Sequence, residues 1–143
     1  MIYTIGYEER TLEEFIEQLK LFNISTLVDI RENPFSRKKG FSKNALAQSL
    51  EENGIEYIHL KELGSPKPLR DKLRQDGDEG YFFKEYYKYV QSQKPTVQKL
   101  HQLVSERIVC LMCYERLPEH CHRHVVAEEI KRVDGNGLNL HHI

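Results

Sequence analysis

The chain has 143 residues, 39% hydrophobic and 30% charged, with a formal net charge of −1; this suits one compact domain and is unlike a disordered chain. The near-neutral balance excludes a globally basic nucleic-acid binder. Three cysteines do not make a secreted disulfide framework, and no apolar run is long enough to cross a bilayer. The opening Met1-Ile-Tyr-Thr-Ile-Gly6 lacks the basic and apolar regions of a secretory signal, so the cytoplasm is the expected location.

Ile2 to Ile5 is a short β-prone run ended by Gly6. Thr11 with Glu14 forms a capping box, and Leu12, Phe15, Ile16 and Leu19 share one face, which predicts a helix over 12–22. Thr26 to Ile30 reads as an apolar strand. Ser42 is placed to cap a helix over 43–53, with Leu46 and Leu50 inward and Gly54 at its end. Ile55 to Ile58 is a third strand. Segment 61–80, rich in Gly and Pro, predicts loop with one short helix near 69–75. Helices follow over Tyr81–Gln91 and near 95–105. Ile108 to Met112 is the clearest buried strand, and a helix runs on to about Arg132 with Val126, Ala127 and Ile130 inward. Gly135 and Gly137 predict a turn, and Leu138 to Ile143 a last strand.

Strands alternating with helices predict a single α/β domain over 1–143, in three layers: a mainly parallel sheet of about five strands with helices on both faces. Parallel sheets bind ligands beyond the C-terminal ends of their strands. The segments that follow strands are Gly6–Arg10, Arg31–Phe41, His59–Lys67 and Cys113–Arg123. Their polar residues are expected along one edge of the molecule.

The last segment, Cys113-Tyr-Glu-Arg-Leu-Pro-Glu-His-Cys-His-Arg123, carries most of the chemistry. Pro118 and Glu119 suit a first helical turn or a 3₁₀ lead-in, which puts Cys121 near a helix N-terminus. Free N–H groups and the dipole there favour an anion and lower a thiol pKa, as do Arg123 and a charged His122. A small buried cysteine beside a capping histidine is the plainer alternative. Cys113 and Cys121, with seven residues between them, suit a redox disulfide or, with an imidazole, a metal site. That gap matches no usual zinc spacing, so no metal is assigned. Cys110 and Cys113 resemble C-x-x-C, but the period of a strand turns them to opposite faces.

Arg31 is placed to grip a phosphate or carboxylate, or to pair with Asp29 or Glu115. Residues 31–43 hold five bases against one acid, a local net of +4, and such a loop recruits anions even in a neutral domain. The tyrosines of 81–89 fall on several faces and predict no base-stacking platform. A phosphatase loop needs Arg six residues after its cysteine, and Glu119 stands there. A sulfur-transfer domain shares only the strand–cysteine–helix layout. Walker A, dinucleotide-binding, zincin and nucleophile-elbow motifs are absent from the sequence.

Thr4-Ile-Gly6 with Arg10, Val28-Asp-Ile-Arg31 with Pro34 and Ser36, Phe41, Gly54-Ile-Glu-Tyr57, Leu60 and Leu63-Gly64 together form a pattern. It is completed by Cys113-x-Glu115, Pro118-Glu-His-Cys-His-Arg123 and the closing His142-Ile143. This combination resembles the domain-of-unknown-function 488 family across nearly the whole chain. The chain departs from it at Tyr7, where many members carry His, and in the loop Ser65-Pro-Lys-Pro68. The resemblance implies a small bacterial or archaeal α/β protein with its site at these motifs, and names no reaction.

The expectation is a small enzyme acting on an anionic small molecule, a nucleotide or a nucleic acid. Arg31 and Arg123, with Gly6, Arg10 and Asp29, would form the anion-binding wall. Cys121 would act as nucleophile or redox thiol, Glu115 or His122 as proton carrier, and Cys113 as second thiol. The alternatives are a binding module using loop 31–43 for nucleic acid or protein, and a Cys/His metal sensor. Which cofactor, if any, such an enzyme uses is left open by the sequence.

Overall fold

The computed structural model describes residues 1–135 and 137–143. Five strands form one sheet in the order β3-β2-β4-β1-β5, every pairing parallel. They are β1 (Ile2–Gly6), β2 (Thr26–Asp29), β3 (Glu56–His59), β4 (Val109–Cys113) and β5 (Leu140–His142). The helices are α1 (Leu12–Leu21), α2 (Lys43–Glu52), α3 (Lys67–Asp76), α4 (Glu79–Ser92), α5 (Lys94–Glu106) and α6 (Arg123–Val133), with 3₁₀ turns at Lys61–Leu63 and Pro118–His120. The expected three-layer α/β architecture is present.

The two faces of the sheet bury separate apolar clusters. Phe15 and Leu19 of α1 and Leu46 and Leu50 of α2 pack with Ile5, Leu27, Cys110 and Met112. On the other face, residues of α4, α5 and α6 cover Ile2, Val28, Leu111 and Cys113. The central strand β4 is buried throughout, as a parallel strand covered on both sides must be. Cys110 and Cys113 lie on opposite faces of it, as the strand period requires.

Several boundaries move for identifiable reasons. The capping box of Thr11 and Glu14 forms as expected. Ser42 occupies the N-cap of α2 without a side-chain cap bond; its hydroxyl is taken by the backbone N–H and C=O of Ser36. Helix α3 starts at Lys67 because Pro68 fits the first helical turn. Helix α4 starts at Glu79 because the Asp78 side chain accepts from the N–H of Tyr81 at 3.0 Å. The backbone N–H of Ile55 bonds to the Leu50 carbonyl, so pairing in β3 begins one residue late. The turn expected over 135–137 includes residue 136, which lies outside the described residues.

Beyond its last paired residue, β1 continues to shadow β4. Tyr7 N–H donates to the Cys113 carbonyl at 3.2 Å and Glu8 N–H to the Tyr114 carbonyl at 2.8 Å. Gly6 permits this approach, since a Cβ there would run into the backbone carbonyl of Glu115. Gly6→Ala is expected to cost about 1–3 kcal/mol by forcing the two backbones apart. Urea unfolding checks it, and a midpoint equal to wild type would mean that the junction yields freely.

Candidate functional site

The neighbouring strands β2 and β4 lead to opposite edges of the sheet, β2 outward to β3 and β4 across β1 to β5. Such divergence opens a crevice beyond the strand ends. A cleft of about 500 Å³ lies there. Tyr7, Arg31, Phe35, Cys113, Glu115 and His122 line it from the post-strand loops, and Ser65, Arg70, Arg74 and Phe82 close it from the α3–α4 side.

Cys113 ends β4 and is joined to Cys121 by a disulfide. The 3₁₀ turn Pro118–His120 folds the connecting loop back, so residues eight apart in sequence meet in space. Cys113 lies on the cleft wall, whereas Cys121 sits behind it. Cys121 immediately precedes His122, the N-cap of α6, and its sulfur accepts from the backbone N–H of Arg123 at 3.5 Å. The Arg123 guanidinium reaches the Cys113 sulfur at 3.8 Å. One residue therefore donates to both sulfurs. A carboxylate oxygen of Glu115 stands 3.7 Å from the Cys113 sulfur.

His122 is held by a 2.8 Å bond between its Nε2 and the Ile30 carbonyl. A carbonyl only accepts, so Nε2 carries the proton and Nδ1 keeps its lone pair, 4.0 Å from the Cys121 sulfur. Burial opposes a charge on this ring and lowers its pKa to about 4, against the pull of the Ile30 carbonyl. Burial likewise raises the Glu115 pKa, opposed by the nearby charge of Arg123. The donor atoms of Cys113, Cys121 and His122 all lie within 4.8 Å of one another.

The cationic residues divide into those that face the cleft and those that hold its walls. Arg31 grips Asp29 through Nε at 2.9 Å and Nη2 at 2.8 Å, while its Nη1 reaches the Tyr7 hydroxyl at 3.3 Å. Burial works against this guanidinium, but the Asp29 carboxylate outweighs it and holds the proton more tightly. Asp29 is fully buried and also accepts from the Tyr57 hydroxyl at 2.5 Å. Arg123 has no exposed surface. It donates to the Thr4 hydroxyl at 3.1 Å and to the carbonyls of Glu115 and Arg116, and burial lowers its pKa to about 10. Arg10 bonds the Gly6 carbonyl at 3.0 Å and the Ile143 carbonyl at 2.9 Å.

Of the residues expected to bind an anion, Arg31 thus reaches the cleft, whereas Arg123, Arg10, Asp29 and Gly6 form the scaffold behind it. Two arginines not singled out in the sequence line it as well. Arg70 pairs with Glu32 at 2.9 Å. Arg74 is 76% exposed and held only loosely by Asp71 at 3.6 Å, which leaves its guanidinium free for a ligand. Each follows an apolar partner, Leu69 and Leu73, by one residue at helical spacing. That basic row beside an apolar row was the available signal.

The basic loop is more constrained than its charge implies. The Lys38 ammonium donates to the Tyr7 carbonyl at 2.9 Å and lies near the Phe41 ring, so Arg37, Lys39 and Lys43 remain as its exposed cations.

No helix among the described residues is long and apolar enough to cross a membrane. No curated protein and no solved structure matches the chain. The family described as domain of unknown function DUF488 matches residues 11–130, a span that takes in Arg31, the arginines of α3 and the whole Cys113–Arg123 junction. The chain belongs to the DUF488 family.

Proposed function

We propose that the protein is a small thiol-dependent enzyme that binds a phosphate-bearing or otherwise anionic substrate, nucleotides included, and exchanges with it at the Cys113–Cys121 pair. One observation carries the reading: Cys113 of that pair shares its cleft with Arg31, Arg70 and Arg74. Arg74 is the most exposed and most loosely paired of the three and meets the anion first, with Arg70 and Arg31 behind it.

In the exchange, the Glu115 carboxylate takes the proton of a substrate thiol. The resulting thiolate attacks the cleft-facing sulfur of Cys113 and forms a mixed disulfide. The Cys113–Cys121 bond breaks, and Cys121 leaves with the electron pair as a thiolate. The Arg123 N–H and the N-terminus of α6 stabilise that thiolate. A good leaving group behind the wall and a second sulfur on the wall itself is the division of labour that exchange requires.

The test uses single cysteine variants and disulfide probes of two charges. In Cys121→Ser, Cys113 is expected to form a mixed disulfide rapidly with the anionic probe glutathione disulfide, whereas Cys121 in Cys113→Ser is slow. Arg74→Ala slows the anionic probe by roughly tenfold and leaves the neutral 2-hydroxyethyl disulfide unchanged. Equal rates at the two cysteines, or equal effects of Arg74→Ala on both probes, would sink the proposal.

A further inference from the structure

We infer that the reduced Cys113–Cys121 pair, together with His122 Nδ1, binds one thiophilic divalent cation of the zinc class and leaves one coordination position open to the cleft. This shares the cysteine pair with the thiol-dependent reading but does not need the exchange reaction.

The donor set is two sulfurs and one imidazole nitrogen, brought within 4.8 Å by the return of the 3₁₀ turn. Zinc bonds sulfur at about 2.3 Å and imidazole at about 2.0 Å, so a shared tetrahedral ion puts such donors about 3.6–3.8 Å apart. The Cys121 sulfur and His122 Nδ1 already stand 4.0 Å apart. The Cα atoms of the two cysteines are 7.4 Å apart, wider than the roughly 4.4–6.8 Å usual for bridged pairs. That width suits two sulfurs facing a common ion.

The surroundings match a ligating set. His122 donates its other ring nitrogen to the Ile30 carbonyl, the arrangement that fixes the tautomer and aim of a metal-bound imidazole. Arg123 gives one donor to each sulfur, which favours both as thiolates. All three ligands are buried. Cys113 and His122 are on the cleft wall, so the fourth position faces the space bounded by Arg31, Arg70 and Arg74. Three protein ligands with an open fourth position is the arrangement of a catalytic zinc rather than a structural one.

Loading needs reduction. A phosphine breaks the S–S bond and is oxidised to its oxide, with water supplying the oxygen and the two protons that leave two thiols. The cation then displaces both thiol protons into solvent.

The test titrates Co²⁺ into the full chain, reduced by a phosphine without air and with its thiols counted. One equivalent is expected to bind with the visible bands of tetrahedral cobalt and a near-ultraviolet thiolate charge-transfer band, and Zn²⁺ displaces it. Cys113→Ser and Cys121→Ser each weaken that charge-transfer band. His122→Gln keeps an amide donor for the Ile30 carbonyl but removes the nitrogen ligand, and is expected to weaken binding by about tenfold or more. Circular dichroism confirms that each variant is folded. No saturable binding to reduced wild type, or wild-type bands and affinity in His122→Gln, would overturn the inference. Probe exchange on metal-free protein reads the thiol reaction separately, so either idea can fail alone.

Discussion

Asp29→Ala is expected to destabilise the protein by about 3–5 kcal/mol, the cost of leaving a buried charge without its partner. Asp29 is fully buried and Arg31 is 7% exposed. The carboxylate accepts the Arg31 backbone N–H, two guanidinium donors and the Tyr57 hydroxyl. Removing it orphans all four donors and leaves the largely buried Arg31 cation with the Tyr7 hydroxyl in place of a counter-charge. The pair itself contributes much less, because both charges lost their hydration on burial. Asp29→Ala with Arg31→Met should therefore recover a large part of the loss. Urea unfolding of the two single variants and the double variant measures this. A double variant as unstable as the sum of the singles would show that the two groups act independently.

The same pair explains why a basic residue after a strand is hard to interpret from sequence. Arg31 follows an apolar run and leads a loop with five bases against one acid, which reads as an anion site. In the fold, its charge is already matched by Asp29 two residues earlier, so Arg31 offers a ligand one donor edge rather than a free cation. Arg123 carries the point further. Residues 114–117 form no strand, so the carbonyls of Glu115 and Arg116 lack ladder partners and need donors from elsewhere. The guanidinium supplies them. Spacing places Arg123 beside the cysteines, but the unpaired carbonyls it serves appear only once the loop is folded.

The elements themselves were more legible, because strand and helix periods act locally. The alternation of elements gave the parallel sheet, and the buried run Val109–Cys113 marked its centre. The rule that ligands sit beyond parallel strand ends pointed to the cleft edge, and all four post-strand segments line the cleft. It could not bring in α3. Arg70 and Arg74 reach the cleft edge because the chain packs that helix beside α4, and nothing local to residues 67–76 encodes that placement. The Cys113–Cys121 disulfide was legible as one of two alternatives, because the 3₁₀ turn that Pro118 opens is a local feature that brings the two residues back together.

Acid should destabilise the oxidised, metal-free protein through His122, and the sign follows from its native pKa of about 4. An unfolded histidine titrates near 6.5. Above pH 6.5 the ring is neutral in both states and contributes no pH dependence. Between 6.5 and 4 the unfolded chain binds a proton that the native state refuses, so stability falls as the pH falls. Below 4 both states are protonated and the slope ends, after a total loss of about 3 kcal/mol. His142, also lowered by burial, acts in the same direction. Glu115, raised by burial, and His120, raised by its bond to Glu79, act in the opposite direction because the native state takes up their protons first. His122→Gln keeps these other groups while retaining an amide donor for the Ile30 carbonyl. With a chelator present and no reductant, urea unfolding at pH 7 and pH 4.5 should show wild type losing about 2–3 kcal/mol more than the variant. Equal losses would place the acid sensitivity elsewhere in the fold and mean that the ring takes its proton at an ordinary pH.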